Sequence, residues 1–392
     1  MLNWLLPLYF TLAGLVFGYD EAELLFVGDA MQHVAQRDAA KTASGDYDFS
    51  QCFEAVTPLV SSADYAVANL ETPVGCPPYA GYPCFSAPAS YSLALKDAGF
   101  DMCLTANNHT LDRGPRGLRS TIATLDEQGI AHLGTYSNDS ARGAALPLIR
   151  TVNGIRIAFL NYTYGTNGIT PRDGVVVDYI DRELIAADVE AAKAAQPDLI
   201  AVCIHWGDEY KLLPNTTQRR TSDFLEALGV DIIIGGHPHV IQPMELRPNR
   251  YYPDKQLFLV YSLGNFISNM KTPDTRGGAV ARVRLCRKPG ENVKIVDADY
   301  RLVFTEPGTS PRSNFRVVPL EETEIPQARE FGRRARGIFE EHNINVPESN
   351  VTETSDFRRG DVDDKRQGVG RIENTVPNAV LQVTQQAQRR SH

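Results

Sequence analysis

The sequence predicts an α/β protein with more than one sheet, on three observations. Between residues 23 and 129 a short apolar strand three times empties into a polar cluster and is followed by a helix. Asn153-Gly154 then joins two apolar runs, the sequence mark of an antiparallel hairpin. Apolar runs after residue 257 supply late strands, which suggest a second sheet packed on the first.

The elements follow in order. Glu23 to Val27 reads as a buried strand that breaks at Gly28-Asp29. Phe53, Val56 and Val60 share a face of a helix expected over 49–62. Tyr65 to Ala68 is a strand running into Asn69-Leu70-Glu71, and a helix over 90–98 ends at Gly99. The strand from Asp101 to Thr105 delivers Asn107-Asn108-His109. Gly114-Pro115 then opens a helix whose face is Leu118, Ile122 and Leu125, closed by Gly129. The hairpin pairs 146–150 with 155–160 through a type I′ turn, which makes the architecture mixed. An Ala-rich helix over 181–195 leads into the apolar run 199–204, bounded by His205. A helix over 217–228 ends at Gly229 and feeds the strand 230–234, which stops at Gly235-Gly236. The late strands, 257–261 and 279–285, lie around Ser262-Leu263-Gly264-Asn265-Phe266.

Beyond residue 305 apolar runs thin out. A helix is expected over 327–342 and a polar, aperiodic tail from Val346 onward. The domain is therefore drawn over 22–305, with 306–392 as a C-terminal extension, partly helical and then disordered. Residues 2–18 carry no charge and have the length of a signal h-region, short of the ~20 apolar residues of a full span. No Lys or Arg precedes Arg37, so the basic n-region is missing. An export signal or single N-terminal anchor over 1–20 is the expectation, with a buried helix as the alternative. The location that follows is the cell envelope: membrane-anchored, periplasmic or extracellular.

The formal net charge of −9 includes no long basic block, which argues against nucleic acid as a partner. Six cysteines form no CxxC pair, against a zinc knuckle or a thioredoxin-type site. Cys103 and Cys203 fall in apolar runs and read as core. Cys76 and Cys84 flank a Pro-, Gly- and Tyr-rich loop and are either free or, in an exported protein, joined.

Chemistry concentrates at the strand ends. Histidines and carboxylates recur in Gly28-Asp29-Ala30-Met31-Gln32-His33, Asn69-Leu70-Glu71, Asn107-Asn108-His109-Thr110-Leu111-Asp112, His205-Trp206-Gly207-Asp208-Glu209-Tyr210 and Gly236-His237-Pro238-His239. Side chains placed where strands stop can all point into one crevice, as in open α/β sheets. His237 and His239 are expected to alternate around Pro238 in extended backbone, with Gly236 allowing a close approach. A donor set of nitrogen and oxygen without thiolate suits Mn²⁺, Fe²⁺ or Zn²⁺. Two such metals would need a bridging carboxylate. His132 follows a helix in a short strand-like stretch and is expected to lie outside the site.

These motifs, together with Tyr261-Ser262-Leu263-Gly264-Asn265-Phe266, resemble the CapA family of capsule and poly-γ-glutamate biosynthesis proteins, in the calcineurin-like metallophosphatase superfamily. The resemblance runs from about Leu24 to Asn269. It implies a four-layer α/β/β/α sandwich of two mixed sheets and a centre of two divalent metal ions. Asp29 and His239 would bind one metal, Asn108, His205 and His237 the other, with Glu71 bridging. His109 would be the catalytic acid, oriented by Asp112. Glu209 is a candidate either to support the metal ligands from behind or to face the substrate, and Asn265 is a candidate to face the substrate. The sequence departs from the superfamily in spacing Asp29 and His33 four apart, where Asp-x-His is usual, and in placing Glu at the bridge.

The resemblance implies a metal-dependent hydrolase of cell-surface polymer metabolism, in which a hydroxide activated by two metals cleaves a phosphoester or a γ-glutamyl amide. Its substrate would be a phosphoester or an anionic polymer, and a membrane-bound synthase would be its partner. The alternative is a non-catalytic accessory subunit that binds such a synthase or polymer through the same crevice.

Overall fold

The computed structural model describes residues 18–309 and 313–349. The expected export segment lies almost wholly outside the described residues, as does the tail from 350 onward. Among the described residues no helix is long and apolar enough to cross a membrane.

Along the chain the first strand, β1 (Asp20–Ala30), is followed by β2 (Tyr65–Leu70), α1 (Ala89–Asp97), β3 (Met102–Leu104), α2 (Gly114–Gln128) and β4 (Ala131–Leu133). The tiny strand β5 (Thr135–Tyr136) precedes the hairpin of β6 (Leu148–Val152) and β7 (Ile155–Thr163) and pairs later with β8 (Val176–Val177). Next come α3 (Arg182–Ala194), β9 (Leu199–His205), α4 (Thr216–Ala227) and β10 (Ile232–Gly236). The remainder is β11 (Ile241–Pro248), β12 (Gln256–Leu263), β13 (Asn265–Ile267), β14 (Gly277–Arg287), β15 (Lys294–Glu306), β16 (Arg316–Pro319) and α5 (Pro326–His342).

Two mixed sheets result. The first runs β16-β15-β14-β1-β2-β3-β4, with β13 also pairing β1. Its β1 to β4 half is parallel, and β14, β15 and β16 are antiparallel. The second runs β11-β12-β10-β9-β7-β6, parallel from β12 to β7 with an antiparallel strand at each edge.

Side-chain alternation with a period of two makes the layers. Leu24 and Phe26 of β1 meet Ile157 and Phe159 of β7, Ala201 and Cys203 of β9, and Phe258 and Val260 of β12 in one core between the sheets. Leu25 and Val27 point the other way, onto Phe53, Tyr91, Leu95 and Leu125 of the outer helices. Leu160, Val202 and Ile233 cover the far face of the second sheet against Ile185 and Val189 of α3 and Leu225 of α4. The order helix, sheet, sheet, helix is the four-layer sandwich expected.

Several expectations change in detail. The helix expected over 49–62 breaks into Ser50–Phe53, a 3₁₀ turn at Glu54–Val56 and Thr57–Val60. Pro58 explains this, since it has no N–H to bond back one turn and its ring crowds the preceding carbonyls. The hairpin turn is as expected, with Asn153 at φ 46° and Gly154 at φ 84°. The fold also continues through the division drawn at 305. β16 pairs β15 in the first sheet, and Ala328, Phe331, Ala335 and Phe339 of α5 enter the core between the sheets. Val346 is buried too, and Ser349 N–H donates to the Tyr300 carbonyl, so order extends past the expected start of the tail. Cys103 and Cys203 are core residues, and Cys76 and Cys84 are free thiols, one buried and one exposed.

Candidate metal centre

The parallel halves of both sheets end at the same side, and their C-terminal ends deliver the polar motifs to one crevice. Asp29 terminates β1 beside Asn69 of β2, its register partner. His205 terminates β9 and pairs in register with Gly236 at the end of β10. The walls approach closely because glycines stand where side chains would collide. A Cβ at Gly28 would lie 1.9 Å from the Gly264 carbonyl oxygen, and one at Gly236 would lie 2.8 Å from Asp29 Oδ1.

His237 and His239 are not in extended backbone. They sit at φ 98° and φ 57°, the left-handed region that residues with a Cβ avoid. The turn they make around Pro238 carries both imidazoles to the same place, and strained residues of this kind concentrate at functional sites.

Among the described residues three overlapping sets of donors follow, each with one ligand atom per residue and all atoms within 4.8 Å of one another: Asp29, Glu71 and His239; Glu71, His205 and His237; Glu209, His237 and His239. Glu71 belongs to two of them. Its carboxylate is fully buried, with Oε1 3.6 Å from His205 Nε2 and 3.8 Å from His239 Nε2, and neither oxygen has a hydrogen-bond partner among the described residues. His237 Nδ1 is likewise buried without a partner. Buried polar atoms are almost always satisfied. A buried carboxylate without hydrogen-bond partners, in one donor set with a histidine whose Nδ1 also has none, therefore fits a site made for cations, and the donor set of nitrogen and oxygen suits divalent metals.

Electrostatics agree. Burial, reinforced by the neighbouring charges of Asp29 and Glu209, pushes the Glu71 carboxyl well above the usual range. Burial and the proximity of His237 depress His205, and burial with His239 lowers His237 to about 4, which keeps both imidazoles neutral as ligands require. Burial alone would raise Asp29. The hydrogen bond and charge of His239, with His205 and Asn69, reverse that and hold it at about 2. Burial alone would lower His239, and its bond to Asp29 raises it instead.

Asn108 Oδ1 lies 2.9 Å from His205 Nε2, which puts it beside the centre. His109 Nδ1 is 2.7 Å from Asp112 Oδ2, and that oxygen also accepts the Phe85 N–H at 2.7 Å. The Phe85 ring stands edge-on to the imidazole at 4.6 Å between centroids. His109 is thereby locked with Nε2 as its remaining nitrogen. Asn265 does not face a substrate. It is fully buried, its Oδ1 lies 3.0 Å from His239 Nδ1, and its amide donates to the Thr275 carbonyl, so it orients an imidazole. His33 belongs to none of the donor sets; its Nδ1 accepts from the Asn269 N–H. His132 lies away from the centre, against Asp126.

Sequence reasoning gave no role to Asn69, Asn107, Phe85 or Tyr164. Asn69 Nδ2 donates to Asp29 Oδ1 at 2.8 Å and lies 3.3 Å from His205 Nδ1, while Asn107 braces Asn69 and the Leu70 carbonyl. The signal for Asn69 was present, since a residue two before Glu71 at a strand end falls on the same face. Tyr164, half-exposed just past β7, lies 4.5 Å from the His237 ring. With exposed Tyr210 and Tyr82 it gives the structure an aromatic surface on this side, which no local motif announces.

Comparison with known proteins agrees with the motifs. Residues 23–270, more than half of the chain, match the family described as bacterial capsule synthesis protein PGA_cap. The capsule biosynthesis protein CapA of Bacillus anthracis is 26% identical over 309 residues, covering 76% of this chain and 72% of that protein. The PGA biosynthesis protein CapA of Bacillus subtilis is 30% identical over 286 residues, covering 66% and 67%. Among solved structures, the NAD nucleotidase of Haemophilus influenzae aligns with 86% of this chain and 58% of its own, at 12% identity and a TM-score of 0.44. The chain that builds this crevice is a member of the bacterial capsule synthesis protein family, PGA_cap.

Proposed function

We propose that the protein is a metal-dependent hydrolase of cell-surface polymer metabolism, acting in the cell envelope on a phosphoester or a γ-glutamyl amide. The observation that carries this reading is the unpaired, fully buried Glu71 carboxylate shared by two donor sets. Asp29 and His239 would hold one divalent cation, His205, His237 and Asn108 the other, with Glu71 common to both. Mn²⁺, Fe²⁺ or Zn²⁺ bound there would polarise the substrate and lower the pKa of attacking water.

The chain's own groups do the rest. Asp112, by accepting from His109 Nδ1, leaves Nε2 to carry the proton that the departing oxygen or nitrogen takes up. Asn69 and Asn265 hold the His205 and His239 rings, so that the donors need not reorganise.

The test is purified protein with Mn²⁺ offered an aryl phosphodiester and, separately, a γ-linked glutamate oligomer. Turnover of one substrate alone assigns the reaction class. Turnover of neither, with metals bound, favours the second reading, an accessory subunit that presents this crevice to a synthase or an anionic polymer.

A further inference from the structure

The loop after β9, residues 206–215, is built to hold one carboxylate over the two histidines of the turn. Trp206 N–H donates to the Gly236 carbonyl at 3.1 Å and Tyr210 N–H to the Pro238 carbonyl at 2.8 Å, which fastens the loop to the turn on both sides of Glu209. Asn215 Nδ2 donates to Asp208 Oδ2 at 2.8 Å and ties the far end. Tyr210 sits at φ 65° and Gly207 at φ 93°, so the backbone accepts left-handed conformations to reach this position. The outcome is a Glu209 oxygen within 4.8 Å of ligand nitrogens on both His237 and His239, although Glu209 itself is exposed. A second observation points to a ligand at the same histidine: His237 Nδ1 is buried and has no hydrogen-bond partner among the described residues. A solvated surface carboxylate needs neither the strained loop nor the turn beneath it.

We propose that Glu209 is itself a metal ligand, the solvent-side counterpart of Glu71, acting with His237 and His239. The inference rests on the two-cation reading of the crevice. Asp29 and Glu71 are buried and fixed, whereas Glu209 stands on an exposed loop.

The test is calorimetric titration of Mn²⁺ into the full chain as wild type, Glu209→Gln and Glu209→Ala, with the unfolding temperature of each measured without metal. The expected result is a loss of about tenfold or more in affinity at one or both positions, larger for Ala than for Gln, with an unchanged metal-free unfolding temperature because the side chain is exposed. Wild-type affinity and stoichiometry in both variants overturn the ligand role and leave the two-cation reading intact. A fall in metal-free stability matching the loss of affinity also overturns it, by assigning Glu209 to holding the loop. A wild-type chain that binds no Mn²⁺ overturns the two-cation reading and this inference together.

Discussion

At the scale of single residues, the decisive contrast is between His109 and Glu71. His109 has an oriented imidazole with one nitrogen engaged by Asp112 and one left over. His109→Ala is expected to lower kcat by about 10²- to 10⁴-fold, the range for a lost general acid, while calorimetry finds Mn²⁺ binding intact. Loss of both together would place His109 among the ligands instead. Glu71 has the opposite character, a buried carboxyl with no hydrogen-bond partner among the described residues. Glu71→Gln should raise the stability of the metal-free chain at neutral pH, because the raised carboxyl must take up a proton or bury a charge on folding and the amide need do neither, and should abolish tight metal binding. A denaturant midpoint measured with and without Mn²⁺ separates the two effects, and a less stable metal-free variant would contradict the assignment. His109 and Glu71 were legible from their motifs. The role of Asn265 was not, because only the fold brings its amide oxygen to His239 and its nitrogen to the Thr275 carbonyl.

At the scale of elements, what the sequence shows depends on how much of the strand is buried. The central strands β1, β7, β9 and β10 were readable as apolar runs because both faces are covered. β11 was missed because it is an edge strand, where Pro243 and Pro248 are tolerated. β15 was missed altogether, and the outward face of its first half is charged, with Asp297 and Asp299 paired to Arg284 and Arg282 of β14. One ionic knot joins elements in the same hidden way. Glu226 at the end of α4 has a fully buried carboxylate that accepts from Arg247 of β11 and from Arg250 just beyond it. Burial would raise this carboxyl, but the two guanidiniums and the Arg250 N–H overcome that and hold it at about 2. A depressed carboxylate contributes stability that is present above its unfolded value of 4.5 and lost as pH falls toward 2. Glu226→Gln is expected to cost about 2 kcal/mol at neutral pH and to flatten the acid limb of a stability-against-pH curve. An unchanged acid limb would exclude the knot as its cause.

At the scale of the whole molecule, the C-terminal elements decide whether the sandwich closes. Leu320, Phe331, Ala335, Phe339 and Val346 all enter the core between the sheets. A large side chain buried there contributes about 2 kcal/mol, so the group is comparable with the total stability of an ordinary domain, about 5–15 kcal/mol. A chain ending at Glu306 is therefore expected to lose its cooperative thermal transition, and retention of the full-length transition would contradict the account. Thinning of the apolar runs after residue 305 suggested a boundary because a short edge strand and an amphipathic helix carry few consecutive apolar residues.

The sequence by itself determined the α/β class, the positions of the central strands and helices, and the chemical identity of the motifs at the strand ends, because alternation and residue type are local properties. Only the tertiary structure decided that these motifs share one centre, that His237 and His239 turn through left-handed backbone to reach it, and that Asn69 and Asn265 hold its rings. Those facts arise from register between strands distant in sequence and from the stacking of two sheets. No stretch of chain contains that information, since each contact requires a partner more than twenty residues away.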